Sequence, residues 1–247
     1  MKMLPFFMAC GVLGAVYEPA SGNAVTVTPT LQASAHIGPR VGGTTFTVGS
    51  GISGPSTVYF GNSPGIPTSF SNAEGNGLVS GSGKFDPFIS FAASVIDTGA
   101  PSAFEFIFLV PLSPTLTGPV ATHATLGITI TASPDGPASI AADLFPPTIM
   151  VSNIGTCAAG VDVGAGFSTP TSTTTVRSFD ATGTFTPTAG CDSYMLVDVC
   201  FTGTGGSAAY GLTGLFEIVP EPASAMILGT AILGLARLRK GKKSLTV

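Results

Sequence analysis

The stretch Phe104-Glu105-Phe106-Ile107-Phe108-Leu109-Val110 decides the fold class. Apolar side chains occupy every position except Glu105, and phenylalanine returns at every second residue, which is the period of a β-strand. Helical periodicity is almost absent from the chain between its two ends. The stretch therefore predicts a strand that is buried on both faces except at Glu105.

Short segments of the same kind, rich in Val, Ile, Thr and Phe, recur on both sides of this strand. They lie at 25–31, 44–48, 57–60, 88–96, 125–132, 148–151, 173–180, 194–202 and 208–218. Glycine and proline clusters at 61–65, 133–137 and 203–206 separate them and suit tight turns. The turn between the last two segments predicts a closing β-hairpin.

About ten strands joined by short turns exceed what one open sheet usually holds without curling. Residues 25–216 are therefore expected to form an antiparallel β-sandwich or a jelly-roll-like arrangement. A chain of this length buries enough surface to be stable as one domain, and two stacked β-modules are the alternative.

The charge of residues 25–216 is sparse and negative. Ten Asp and Glu residues stand against three basic residues, Arg40, Lys84 and Arg177, so the net charge is near −7. Binding of nucleic acid or anionic lipid needs clustered Lys or Arg, and both are therefore disfavoured as partners. Serine, threonine and glycine supply the polarity of this region instead.

The N-terminal segment, residues 1–24, has the pattern of an export signal. Lys2 is followed by an apolar run at 4–16 without another charge, and then by small residues up to Ala24. The run is too short to span a membrane and stay there. We therefore expect a signal peptide that signal peptidase removes after Ala24 or nearby.

Export permits disulfide bonds, and three cysteines remain once Cys10 is removed with the signal peptide. They are Cys157, Cys191 and Cys200, and the sequence leaves all three pairings open. A bond from Cys157 to either later cysteine closes the larger loop and would stabilise the fold more. A metal or catalytic role is not expected, because no CxxC spacing and no neighbouring histidine support one.

The C-terminal segment, residues 217–247, has a membrane-sorting pattern. An apolar run at 223–236 precedes five of the chain's nine Lys and Arg residues. Fourteen helical residues cover about 21 Å, less than the ~30 Å hydrocarbon layer, which favours a transient transmembrane helix in the inner membrane. The basic cluster is expected to act as a stop signal that stays in the cytoplasm; it consists of Arg237, Arg239, Lys240, Lys242 and Lys243.

The prolines of Val219-Pro220-Glu221-Pro222 hold an extended strip just outside the membrane, and proteases bind extended backbone. This strip, the apolar helix and the terminal basic cluster, in that order, resemble the PEP-CTERM sorting signal of Gram-negative bacteria. The resemblance is confined to 217–247, and residues 242–247 run a little past the usual basic end. It implies processing by an exosortase-like membrane enzyme and an association with exopolysaccharide or biofilm. The alternative is a stiff linker ahead of a permanent tail anchor.

No catalytic residue, metal site or cofactor is predicted. Ser63 lies in a G-x-S-x-G pattern, but Pro64 follows it and has no N–H to donate to an oxyanion. His36 and His123 lie outside any metal motif, and Asp135-Gly136 is first of all a turn signal.

Two further patterns have both a structural and a binding interpretation. Six phenylalanines between 85 and 108 could stack on sugars, but phenylalanine in strands is more often core. The run 171–175 could carry O-glycans or bind a polysaccharide, or it is simply a β-prone polar face.

These patterns leave three hypotheses for function. The first is a non-enzymatic surface or matrix protein that is exported and then processed at its C-terminus. The second is a carbohydrate-binding or adhesive module, which needs a surface patch of aromatic and Asn or Asp side chains. The third is a secreted hydrolase, which needs His36 or His123 within reach of both a Ser or Cys and an Asp.

Overall fold

The computed structural model describes residues 31–38, 43–85, 87–113, 116, 118–143, 147–188, 191 and 193–219. Their strands, in chain order, are β1 (Gln32–Ile37), β2 (Thr44–Thr47), β3 (Ser50–Ile52), β4 (Thr57–Phe60), β5 (Thr68–Ser71), β6 (Gly75–Lys84), β7 (Phe88–Asp97), β8 (Ala103–Pro111), β9 (Val120–Thr131), β10 (Ala138–Ala142), β11 (Met150–Ile154), β12 (Cys157–Ala158), β13 (Phe167–Thr169), β14 (Thr174–Phe185), β15 (Tyr194–Gly203) and β16 (Ala208–Val219).

The strands form two antiparallel sheets. Sheet A has the order β12-β11-β15-β8-β1-β2, with β10 also beside β15 and β13 beside β10. Sheet B has the order β14-β9-β16-β7-β6-β4-β3, with β5 also beside β6. The predicted all-β fold with two packed antiparallel sheets is confirmed.

One hydrophobic core lies between the sheets. Phe104, Phe106 and Phe108 of β8 all point into it with no exposed surface. Phe108 contacts Phe60 and Phe91 of sheet B, at ring-centroid distances of 5.2 and 5.1 Å. Ring contacts between the two sheets therefore form the centre of the sandwich.

Strand β6 makes room for these rings. Its core-facing positions are Gly75, Gly77, Val79, Gly81 and Gly83. A Cβ atom at Gly77 would lie 2.6 Å from the Phe70 ring, and one at Gly81 would lie 3.0 Å from Phe60. Glycine is required there because aromatic rings, together with the carbonyl oxygens of Ser90 and Ser94 on β7, occupy the space that a side chain of β6 would fill.

The predicted closing hairpin is wrong. Strand β15 pairs with β8, β10 and β11 in sheet A, whereas β16 pairs with β7 and β9 in sheet B. The connection is a turn, as predicted, but it crosses between the sheets. The buried carboxylate of Asp97 holds it there by accepting a 2.8 Å hydrogen bond from the N–H of Gly205.

The predicted burial of the Phe104–Val110 stretch is also partly wrong. Glu105 is buried, with 5% of its surface exposed, while Ile107 and Leu109 on the same face are only half-buried. On this face of sheet A, the charged residue Glu105 is therefore more buried than its apolar neighbours Ile107 and Leu109.

The two chain ends lie outside the described residues, and so does the strand expected at 25–31, apart from Leu31. Strand β16 continues to Val219, so Glu217, which the sequence placed in the C-terminal segment, belongs to the sheet. In the part of the chain that the structure describes, no helix has the length and apolarity needed to cross a membrane.

Candidate functional site

The outer face of sheet B carries an open trough of about 780 Å³ that we call the hydroxyl trough. It crosses β6, β7, β16, β9 and β14, whose side chains at the trough are mostly serine, threonine and alanine. The side chains that form it are Ser80, Ser82, Ser90, Ala92, Thr125, Ser178, Asp180, Thr213 and Leu215, with Gly127 between them.

The strand register places these residues in rows across the sheet. One row runs Ser80, Ala92, Thr213, Gly127 and Ser178. None of these side chains is larger than threonine, so the main chain of the sheet is accessible along this row. The trough can therefore offer hydroxyl groups and carbonyl oxygens to a polar ligand.

A histidine held between two carboxylates lies beside the trough. His123 on β9 places Nδ1 2.9 Å from Glu217 Oε1 on β16 and Nε2 2.8 Å from Asp180 Oδ2 on β14. The hydrogen bond to Glu217, followed by the one to Asp180, raises the pKa of His123 above its ordinary value of 6.5. We call this group the histidine clamp, because it joins three neighbouring strands.

The histidine clamp does not have the geometry of a hydrolase site. Both ring nitrogens of His123 face carboxylates, so neither is placed to accept a proton from a serine or cysteine. Ser63 lies apart in the turn between β4 and β5, where it forms an isolated bridge with Ile66. His36 lies on sheet A with Nδ1 2.9 Å from Thr45 Oγ1.

The clamp is also unlike a metal site, since its two carboxylates lie on opposite sides of the ring rather than converging on one point. Within the described ranges, no group of three His, Cys, Asp or Glu side chains is arranged to hold a metal ion. Asp135 lies in an exposed turn, where its N–H donates to Ser133 Oγ.

Four of the six phenylalanines between 85 and 108 belong to the core. Phe91, Phe104, Phe106 and Phe108 are buried, so the core interpretation of these rings is confirmed. Phe85 and Phe88 are half-buried. The run 171–175 forms an exposed turn into β14, in which Thr169 Oγ1 lies 2.9 Å from Thr173 Oγ1.

The structure joins Cys157 to Cys191 by a disulfide bond across 34 residues of sequence. Their Cα atoms lie 5.5 Å apart. Cys200 is buried on β15 and packs against Val151 of β11. Of the three pairings that the sequence left open, the structure thus contains one of the two that close a larger loop.

The predicted sorting motif overlaps the last described strand by one residue. Val219 is the last residue of β16 and is 37% exposed. Pro220, Glu221 and Pro222 lie outside the described residues, as do the basic residues at 237–243.

Sequence reasoning did not find the hydroxyl trough or the histidine clamp. His123 is 94 residues from Glu217 and 57 from Asp180, so only the strand register brings the three together. The alternating serines of β6 and β7 were a visible signal for the trough, but only once β6 is recognised as a strand.

No family model matches this chain, and no curated protein does. Among solved structures, it is similar to a cyclase from Fischerella sp. TAU in complex with 4-(1H-indol-3-yl)butan-2-one, at 12% identity and a TM-score of 0.26, covering 70% of this chain and 90% of that one. A second structure of a cyclase from Fischerella sp. TAU has 12% identity, a TM-score of 0.27 and the same coverage. A structure of the Gx strain of infectious bursal disease virus has 11% identity and a TM-score of 0.11, covering 79% of this chain and 66% of that one. TM-scores this low carry no argument about fold or function.

Proposed function

We propose that this chain is an exported, non-enzymatic bacterial surface or matrix protein that is processed at its C-terminus. Signal peptidase removes residues 1–24, and the apolar run at 223–236 holds the protein briefly in the inner membrane. An exosortase-like enzyme then cleaves near Pro220-Glu221-Pro222, and the sandwich is released or attached at the cell surface.

The observation that carries this proposal is the order of features at the C-terminus. A proline-bounded strip, an apolar run and a basic cluster follow one another without interruption. Strand β16 includes Val219, the first residue of the strip, so a cut near Pro220-Glu221-Pro222 would lie on its C-terminal side and leave the described strands intact.

The geometry around His123 supports a non-enzymatic role. Its two nitrogens bind carboxylates on neighbouring strands, so its hydrogen bonds serve to join the sheet. The sparse negative charge of residues 25–216 supports a partner other than nucleic acid.

A glycan-binding role is the second candidate, and the hydroxyl trough favours it. Its serine and threonine side chains could bind an exopolysaccharide through hydrogen bonds. Affinity electrophoresis in gels that contain a bacterial exopolysaccharide tests this role. Thr213→Val should reduce retardation if the trough binds the glycan, whereas Ile66→Val, on an exposed residue outside the trough, should not.

Intact-mass measurement of the exported protein tests the sorting proposal. In a host that carries the processing enzyme, the mature chain should begin near Val25 and end near Pro220–Pro222. The double variant Pro220→Ala, Pro222→Ala should keep its C-terminus, whereas Pro137→Ala, in an exposed turn, should be processed normally. A wild-type chain that still ends at Val247 would favour the permanent anchor.

The orientation of the tail is tested separately. A reporter fused after Lys243 should remain in the cytoplasm before processing. Its appearance on the exported side would contradict the transient membrane helix and, with it, the sorting assignment.

A further inference from the structure

Strand β14 differs from every other strand that has a single neighbour in the described sheets. It is 12 residues long and pairs only with β9. The other strands with one neighbour, namely β2, β3, β5, β12 and β13, have two to four residues. Short edge strands limit unwanted pairing between proteins, and β14 is too long to be protected in this way.

Several of the usual protections of an edge strand are also missing from β14. Its register with β9 is unbroken from Thr174 to Phe185, so it contains no bulge, and it has neither lysine nor proline. Its two charged side chains have partners within the chain. Arg177 lies over the Phe167 ring at 5.7 Å, and Asp180 binds His123 at 2.8 Å.

The outward side chains of β14 are exposed to solvent. Val176 is 63% exposed, and its outward neighbours Thr174, Ser178 and Asp180 are exposed as well. In an antiparallel strand, every second residue directs its N–H and C=O away from the paired neighbour. Across the described ranges, no main-chain hydrogen bond joins this side of β14 to another segment.

We propose that β14 pairs antiparallel with β14 of a second copy of this chain, about a two-fold axis perpendicular to sheet B. The pairing joins two B sheets into one, and their hydroxyl troughs then face the same side. This inference does not depend on the C-terminal sorting signal.

The side chains of β14 select a second copy and a register. A two-fold axis through Phe179 places Ser178 opposite Asp180 of the second copy, and Val176 opposite Thr182. Each pair occurs twice: the Ser178 hydroxyl can donate a hydrogen bond to Asp180, Val176 lies beside the methyl group of Thr182, and neither pair places like charges opposite each other. An axis through Arg177 or through Asp180 would instead place like charges opposite each other.

The dimer is expected to be weak and dependent on concentration. One pair of strands buries much less than the ~1,200 Å² typical of stable complexes. Its affinity should therefore respond clearly to a charge placed at the centre of the pairing.

Two opposite substitutions at Ser178 provide the test. Ser178→Asp places a carboxylate opposite Asp180 of the second copy, twice per dimer, and should raise the dissociation constant about tenfold. Ser178→Lys should lower it, because each lysine then faces Asp180. Ser69→Asp is the matched control, since Ser69 is an exposed serine on β5 of the same sheet.

Native mass spectrometry of the full chain, released from a mild detergent, measures the dimer fraction between about 1 and 100 µM, where small interfaces associate. A dimer weakened by Ser178→Asp, strengthened by Ser178→Lys and unchanged by Ser69→Asp supports the proposal. A wild-type protein that stays monomeric throughout this range overturns the proposal. The free edge of β14 would then be available to a strand of another protein. Equal effects of Ser178→Asp and Ser69→Asp also overturn it.

Discussion

Glycines occur on both the inner and the outer face of sheet B, but for different reasons. On the inner face, Gly77 and Gly81 of β6 and Gly214 of β16 lie directly against phenylalanine rings. On the outer face, a Cβ atom at Gly211 would have its nearest neighbour at 3.7 Å, which is an ordinary contact. Packing therefore dictates the inner glycines, whereas the small residues of the outer face leave the trough open.

The inner glycines are explained by phenylalanine rings of sheet B itself. Phe70, Phe60 and Phe91 lie over Gly77, Gly81 and Gly214, and the same rings contact Phe106 and Phe108 of sheet A. Because the interior is close-packed, a side chain at these glycines would have to displace a ring. The outer face has no such requirement and can change without loss of the fold.

The largest effect is expected from removing a ring on the inner side. Phe108→Ala should lower the free energy of unfolding by about 3–5 kcal/mol, because a fully buried ring that contacts Phe60 and Phe91 leaves a cavity. Phe88→Ala, on the half-buried outer side, should cost about 1 kcal/mol. Urea unfolding followed by circular dichroism measures both, since the chain has no tryptophan. Equal losses would remove the distinction between the faces.

A smaller effect is expected from adding one methyl group to β16. Gly214→Ala places a Cβ atom against the Phe91 ring and should cost about 1–3 kcal/mol through overpacking. Gly211→Ala, three residues earlier and facing outward, should stabilise the fold by up to about 1 kcal/mol, because alanine loses less conformational freedom on folding. The two variants form a matched pair, measured by the same urea unfolding. A stable Gly214→Ala protein would mean that the core can shift around Phe91.

The fold class was predictable because apolar alternation is a local property. The alternating residues of Phe104–Val110 and the runs at 88–96, 194–202 and 208–218 correspond to β8, β7, β15 and β16. Each of these strands shows its buried face within its own sequence.

Strand β6 was not predicted, because glycine is depleted in strands and offers no alternation of apolar side chains. Its sequence Gly75-Asn-Gly-Leu-Val-Ser-Gly-Ser-Gly-Lys84 is explained only by the rings that it faces, and these all belong to other strands. The sheet-crossing connection between β15 and β16 was missed for a similar reason. Turn residues indicate that the chain reverses, but they do not indicate which sheet it enters.

The candidate site could be predicted even less well. The sorting motif is local and was found from the sequence, whereas His123, Asp180 and Glu217 come from three strands and meet only through the register of sheet B. Ionisable residues this far apart in sequence carry no local sign that they interact.

The smallest effect is expected at the histidine clamp, a charged group on the trough side of sheet B that joins three strands. Glu217 and Asp180 raise the pKa of His123 in the folded chain above 6.5, the ordinary value expected when unfolded. The folded state then binds the proton of His123 more tightly than the unfolded state does. The clamp therefore stabilises the fold fully below pH 6.5, as long as both carboxylates remain ionised. This contribution is lost as the pH rises through the folded pKa.

Comparison of His123→Gln with the wild type between pH 6 and 9 measures this contribution. The wild-type advantage in unfolding free energy should be greatest near pH 6 and should disappear at high pH. It should stay below about 1 kcal/mol, because Asp180 is 67% exposed and solvent screens the pair. An NMR titration of the His123 ring should give a midpoint above 6.5, which Glu217→Gln lowers more than Asp180→Asn does, since the Glu217 hydrogen bond is the larger cause of the shift. Parallel pH profiles for the two proteins would mean that the clamp adds nothing to the outer face, whose stability would then come from its main-chain hydrogen bonds alone.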